Sequence, residues 1–139
     1  MELTANALQT VGTFRDLLFT DTAVPGNCSI MHREGSGLVT LRGITNQCRA
    51  RFRVSFGSNV AIPADGTVGP ISVEISVNGE PLAETTMIST PAATEEFNNI
   101  SRVLFLNVPA GCCTQVSVKN TTASNVVFEN SSLIVERVA

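Results

Sequence analysis

Cys48-Arg49-Ala50-Arg51-Phe52-Arg53-Val54-Ser55-Phe56 alternates apolar and polar side chains without a break. Successive side chains of an extended chain point to opposite faces. The run therefore turns Cys48, Ala50, Phe52, Val54 and Phe56 toward a core and Arg49, Arg51, Arg53 and Ser55 away from it. A helix would scatter the same residues around its circumference. ISVEISV repeats the pattern, setting Ile71, Val73, Ile75 and Val77 against Ser72, Glu74 and Ser76. It runs into Asn78-Gly79, the dipeptide that best tolerates positive φ at both central positions of a tight hairpin. A returning strand is predicted over residues 82–88.

Outward from these two runs the chain continues as strands. Residues 100–108 are β-branched and apolar, VPAG at 108–111 makes a turn, and CTQVSVKN and SSLIVERV supply the last two strands. Shorter candidates lie at 17–19, 29–32 and 38–42, separated by Gly, Pro, Asn and Asp, which end or turn strands. Residues 57–70 are rich enough in Gly and Pro to read as one long loop, with Val60 and Ile62 buried beneath it or against a neighbour. About eight to ten short strands without a helical crossover predict an all-β fold, an antiparallel β-sandwich of the jelly-roll type. The expectation is one domain over residues 1–139, with 1–13 as an extended or anchoring segment.

The 139 residues are 43% apolar and 15% charged, the balance of a folded chain. A net charge of -3 leaves no cationic surface for a phosphate backbone, so no nucleic-acid partner is expected. No run approaches the roughly 20 apolar residues that cross a bilayer, so no membrane partner is expected either. Low charge with a mean hydropathy of +0.22 predicts apolar surface left over from the core, which a second copy of the chain would cover. The N-terminus lacks a basic segment followed by an apolar one. On that ground Cys28, Cys48, Cys112 and Cys113 read as reduced core thiols. Display outside the cell would leave Cys28 and Cys48 open to pairing.

Chemistry-bearing residues are sparse. A hydrolytic triad needs a base, and His32 is the one histidine. Beside Arg33 and Glu34 it reads as a surface or interface residue, and the chain is not expected to be an enzyme. Adjacent residues of a strand face opposite ways, so Cys112 and Cys113 do not suit one tetrahedral ion. Asp16, Asp21, Asp65, Glu95 and Glu96 show no calcium-loop order. Neither a metal nor a cofactor is expected. Four stretches beginning at Asn27, Asn99, Asn120 and Asn130 fit the glycosylation pattern, which chance supplies readily in a chain so rich in Ser, Thr and Asn. The row Arg49, Arg51 and Arg53 repels itself unless offset. It either pairs with Glu129, Glu136 or Glu74, or forms an anion, glycan or inter-subunit contact. A recognition module would use the loops at 57–70 and 92–99, where Phe97 is the available stacking ring.

Three motifs in order resemble the tumour-necrosis-factor-like and complement-head jelly-roll family, most closely the heads of bacterial collagen-like spore-surface proteins. They are Ala50-Arg51-Phe52-Arg53-Val54-Ser55-Phe56, Ile75-Ser76-Val77-Asn78-Gly79 and Ser131-Ser132-Leu133-Ile134-Val135-Glu136-Arg137. Ala50 stands where the family has Gly, Phe52 where it has Tyr, and the sequence holds no Gly-X-Y stalk. The resemblance implies a homotrimer packed around a threefold axis. It is similar, too, to short bacteriophage structural proteins, which implies a structural protein on a virion surface after cytoplasmic synthesis, as a capsid decoration, head fibre or tail tip with capsid or tail partners. The alternatives are a glycan- or receptor-binding adhesion module and a head domain on a bacterial cell or spore surface.

Overall fold

The computed structural model describes residues 1–139, except for the side chain of Cys112. In chain order the strands are β1 (Glu2–Ala5), β2 (Gln9–Val11), β3 (Asp21–Val24), β4 (Ile30–His32), β5 (Val39–Gly43) and β6 (Arg49–Ala61). There follow β7 (Ile71–Val77), β8 (Glu80–Pro81), β9 (Met87–Ser89), β10 (Asn98–Pro109), β11 (Gly111–Asn120) and β12 (Val126–Arg137). Two six-stranded sheets result. The first has the order β10-β6-β12-β1-β3 with β2 added to β12, and the second β4-β5-β11-β7-β8 with β9 added to β7. Every pairing is antiparallel. Neighbours such as β6 and β12 are far apart in sequence, as a jelly roll requires.

The alternation in the sequence sets the core. Ala50, Phe52, Val54 and Phe56 of β6 are buried with Phe128, Leu133 and Val135 of β12. They face Leu41, Ile71, Val73, Ile75, Val116 and Val118 of the second sheet. The hairpin at Asn78-Gly79 has φ of 52° and 85° at its two central residues. Asn78 also accepts the Gln115 N–H on its side-chain oxygen at 2.9 Å, tying the turn to β11.

Several boundaries differ from the sequence reading. The fold has twelve strands, because β1, β2 and β3 come from segments too short or polar to show a period. Leu3 and Ala5 of β1 are core residues, so the N-terminal segment is built into the first sheet. Gly57–Ala61, read as loop, continues β6, since both its edges are paired there, by β10 and β12. Val60 and Ile62 are buried as expected. Residues 17–19 are not a strand. Leu17 and Phe19 are nonetheless fully buried, and the segment lies along β11, donating the Leu17 N–H to Val118 O at 2.8 Å. Asp16 pairs there with Lys119 at 2.8 Å.

The strand expected over 82–88 is broken. The ladder with β7 runs past Pro81 to the Leu82 N–H, which donates to Ile75 O at 2.9 Å, and Ala83–Thr85 then form a single 3-10 turn before β9. The Thr85 hydroxyl takes the place of a strand partner, accepting the Ile75 N–H at 2.9 Å and donating to Leu82 O at 2.7 Å. Cys28, Cys48 and Cys113 are not core thiols. Cys28 and Cys48 are free and exposed, both in turns outside the strands. Cys113 is disulfide-bonded and exposed where β11 loses register between Gly111 and Thr114. The expectation for Cys112 lies outside the described side chains.

Phe56 is buried between the sheets, so Phe56→Ala is expected to cost about 3–5 kcal/mol in denaturant unfolding. Thr85→Val keeps the shape but strands the Ile75 N–H, and a loss of about 1–3 kcal/mol is expected in the same measurement.

Candidate functional site

Strand parity gives the first sheet an outward face as well as a core face. In register across β10, β6 and β12 it carries a sequence of layers. Asn99 and Asn59 are followed by Ser101, Gly57 and Ser132, then by Val103, Ser55 and Ile134. Phe105, Arg53 and Glu136 come next, then Asn107 with Arg51, and Pro109 with Arg49. Glu2 of β1 and Val24 of β3 extend the Ile134 layer sideways. The apolar members stand in water: Val103 is 52% exposed, Phe105 61% and Ile134 36%. Large β-branched and aromatic side chains side by side on one open face mark a surface that another surface covers.

The arginine row is resolved unevenly. Arg53 forms an ion pair with Glu136, its register partner. Arg51 donates to the Asn107 side-chain oxygen at 3.4 Å across the β6–β10 pair. Neither Glu129 nor Glu74 takes part: Glu129 lies opposite Asn59, and Glu74 accepts a hydrogen bond from the Thr86 hydroxyl. Arg49 is exposed at the start of β6. Phe97 does not join this group. It lines a recess at the opposite end of the sheet, with the loop that follows β6.

His32 donates its Nε2–H to Ser36 O at 2.8 Å, which leaves Nδ1 buried without a hydrogen-bond partner. Its ring is oriented by a backbone carbonyl, and no carboxylate is hydrogen-bonded to it among the described residues. Nor does any group of three or more His, Cys, Asp or Glu among the described residues have the spacing of a metal site. The apolar patch of Val103, Phe105 and Ile134, spread over two adjacent layers, was the feature missed in the sequence. Each residue reads singly as strand chemistry, and nothing in the order of the chain says that β10 and β12 flank β6.

No family model matches the sequence, and no curated protein matches it. Solved structures do. The globular domain of the zebrafish complement 1qA protein superposes with a TM-score of 0.72 at 9% identity, covering 99% of this chain and 95% of that one. Eiger TNF from S. frugiperda gives 0.70 at 14% identity, covering 100% and 92%. The CBM35 of Cellvibrio japonicus covers 100% of this chain and 98% of that one at 11% identity, but its TM-score of 0.44 carries no argument. The chain has the jelly-roll fold shared by complement globular heads and tumour-necrosis-factor domains.

The side chains of Arg53 and Glu136 are 46% and 45% exposed in the single chain. A double-mutant cycle on Arg53→Ala and Glu136→Ala, read by denaturant unfolding, is expected to give a coupling below about 1 kcal/mol.

Proposed function

We propose that the protein is a non-enzymatic structural module that assembles as a homotrimer through the outward face of the first sheet, and that it serves on the surface of a bacteriophage virion. The exposed apolar patch of Val103, Ile134 and, one layer on, Phe105 carries the assembly reading. Burying these side chains is worth about 25 cal/mol for each Å² of apolar surface. Around the apolar layer lie groups that fix orientation: the Arg53–Glu136 pair on one side and the Ser101–Gly57–Ser132 layer, small enough for close approach, on the other. The likeness of the fold to two domains of the complement-head and tumour-necrosis-factor type supports a threefold arrangement of this face.

The virion setting rests on the resemblance of a short trimeric jelly-roll head of this kind, with no Gly-X-Y run, to bacteriophage structural proteins. Capsid or tail proteins are the partners it implies, and a bacterial cell or spore surface is the competing setting. Recovery of the protein bound to purified particles in a density gradient supports the virion reading, and its absence from them overturns it.

Assembly is read directly by sedimentation. The wild-type protein is expected at three chain masses of 14.7 kDa at micromolar concentration. Phe105→Asp is expected to run at one chain mass with an unchanged β circular-dichroism spectrum, since Phe105 lies outside the core. A wild-type monomer at every salt concentration would sink the proposal.

A further inference from the structure

The outward face of the first sheet is open along most of its length and roofed at one end. Val127 of β12 and Ala61 of β6 are register partners there. Their chain neighbours Phe128 and Val60 fill the core, so Val127 and Ala61 point outward. Both are nevertheless buried, whereas Val103 on the same face is half exposed. Around them stand Leu8 and Thr10 and the two loops that sequence reading singled out for recognition. The loop after β6 meets the loop before β10 through the Glu95 N–H, which donates to Ile62 O at 2.8 Å.

Beneath this roof lies a cavity of about 260 Å³. Its lining is Leu8, Ile62, Pro63, Ala64 and Phe97 with Ala61 and Val127, and Thr10 and Glu95 are its residues with polar side chains. An apolar cavity of about 150 Å³ holds a benzene ring, so this one takes a ring with a short substituent. Leu8 and Phe97, 57% and 40% exposed, flank the mouth with apolar surface still open to an occupant.

Charge decides what the substituent is. No Lys, Arg or His lines the cavity, and Glu95 forms no ion pair among the described residues. Glu95 also holds a φ of 60°, in the left-handed region where a residue with a Cβ costs about 1–2 kcal/mol. Glycine would remove that cost, yet a carboxylate stands here. An anionic ligand would be repelled by it. A sugar would bring several hydroxyls to a lining with two polar side chains, leaving most of them without partners.

We propose that the cavity binds a small organic monocation, an arylalkylammonium or branched alkylammonium. Its apolar body lies under Leu8 and Phe97 and its ammonium group donates to the Glu95 carboxylate. One chain provides the whole lining, so the site is complete without a second copy.

The test is a titration followed by amide NMR, using 2-phenylethylammonium, the isosteric 2-phenylethanol and methyl glucoside as probes. It is run on the wild-type protein and on Phe105→Asp, so that ligand binding is read separately from assembly. Saturable shifts are expected with 2-phenylethylammonium at Thr10, Ile62, Glu95 and Phe97. Glu95→Gln is expected to weaken the ammonium about three- to five-fold, the range of a solvent-exposed ion pair, and to leave the alcohol unchanged. Glu95→Gly, which relaxes the backbone, loses the same preference while keeping the fold, and Phe97→Ala weakens both aromatic probes. Any of three results overturns the proposal: no saturable shift with the ammonium up to about 50 mM, methyl glucoside binding as tightly, or Glu95→Gln leaving the ammonium unaffected.

Discussion

Both edges of β6 are hydrogen-bonded, to β10 along its full length and to β12 along most of it. A strand held this way cannot rotate about its axis. Its alternation therefore commits one face of all three strands to the core and the other to solvent. A slip of one residue would carry Phe52, Val54 and Phe56 into water and three arginines into the interior. The cost of burying unpaired charge forbids it. The rest of the sandwich is arranged around that constraint, with the second sheet supplying the apolar layer that Phe52 and Phe56 pack against.

The outward face inherits what the core cannot accept. Charged and amide side chains occupy it on β6, and Arg53 and Arg51 find Glu136 and Asn107 on the flanking strands. Apolar side chains arrive from those flanking strands, at Val103, Phe105 and Ile134. One sheet face thus presents a greasy layer bordered by fixed charges at its middle and a loop-roofed cavity at its end. The first suits a large flat partner and the second a small concave ligand, and both follow from placing the same three strands side by side.

Legibility in the sequence followed the length of the periodic run. The runs at 48–56 and 71–77 disclosed their faces because several successive residues alternate, although Cys48 falls in the bend before β6 and is exposed. Asn78-Gly79 disclosed its turn because few dipeptides accept two positive φ angles. Residues 82–88 misled because a tight hairpin turn promises a returning strand, whereas the chain leaves the ladder after Leu82 in a 3-10 turn held by the Thr85 hydroxyl. Residues 17–19 were read as a strand and are not one, although Leu17 is hydrogen-bonded to β11 and both Leu17 and Phe19 are buried. At the candidate site Arg53 with Glu136 was among the anticipated pairs, whereas the apolar layer and the junction of Ile62 with Glu95 were not visible.

The amino-acid sequence by itself determined that the chain is a β-sandwich, which residues of β6 from Ala50 to Phe56 and of β7 at Ile71, Val73 and Ile75 are buried, and that the arginine row lies on a strand face. Those properties depend on neighbours one or two residues apart, and a period of two is enough to reveal them. Tertiary structure alone decided which strands lie side by side, and with that the layer of Val103 and Ile134, the partner of Arg53 and the roof over Val127. Each of these contacts joins residues separated by tens of positions. Hydrogen-bonded ladders between distant strands bring them together, and no local pattern records which distant strand a given edge selects.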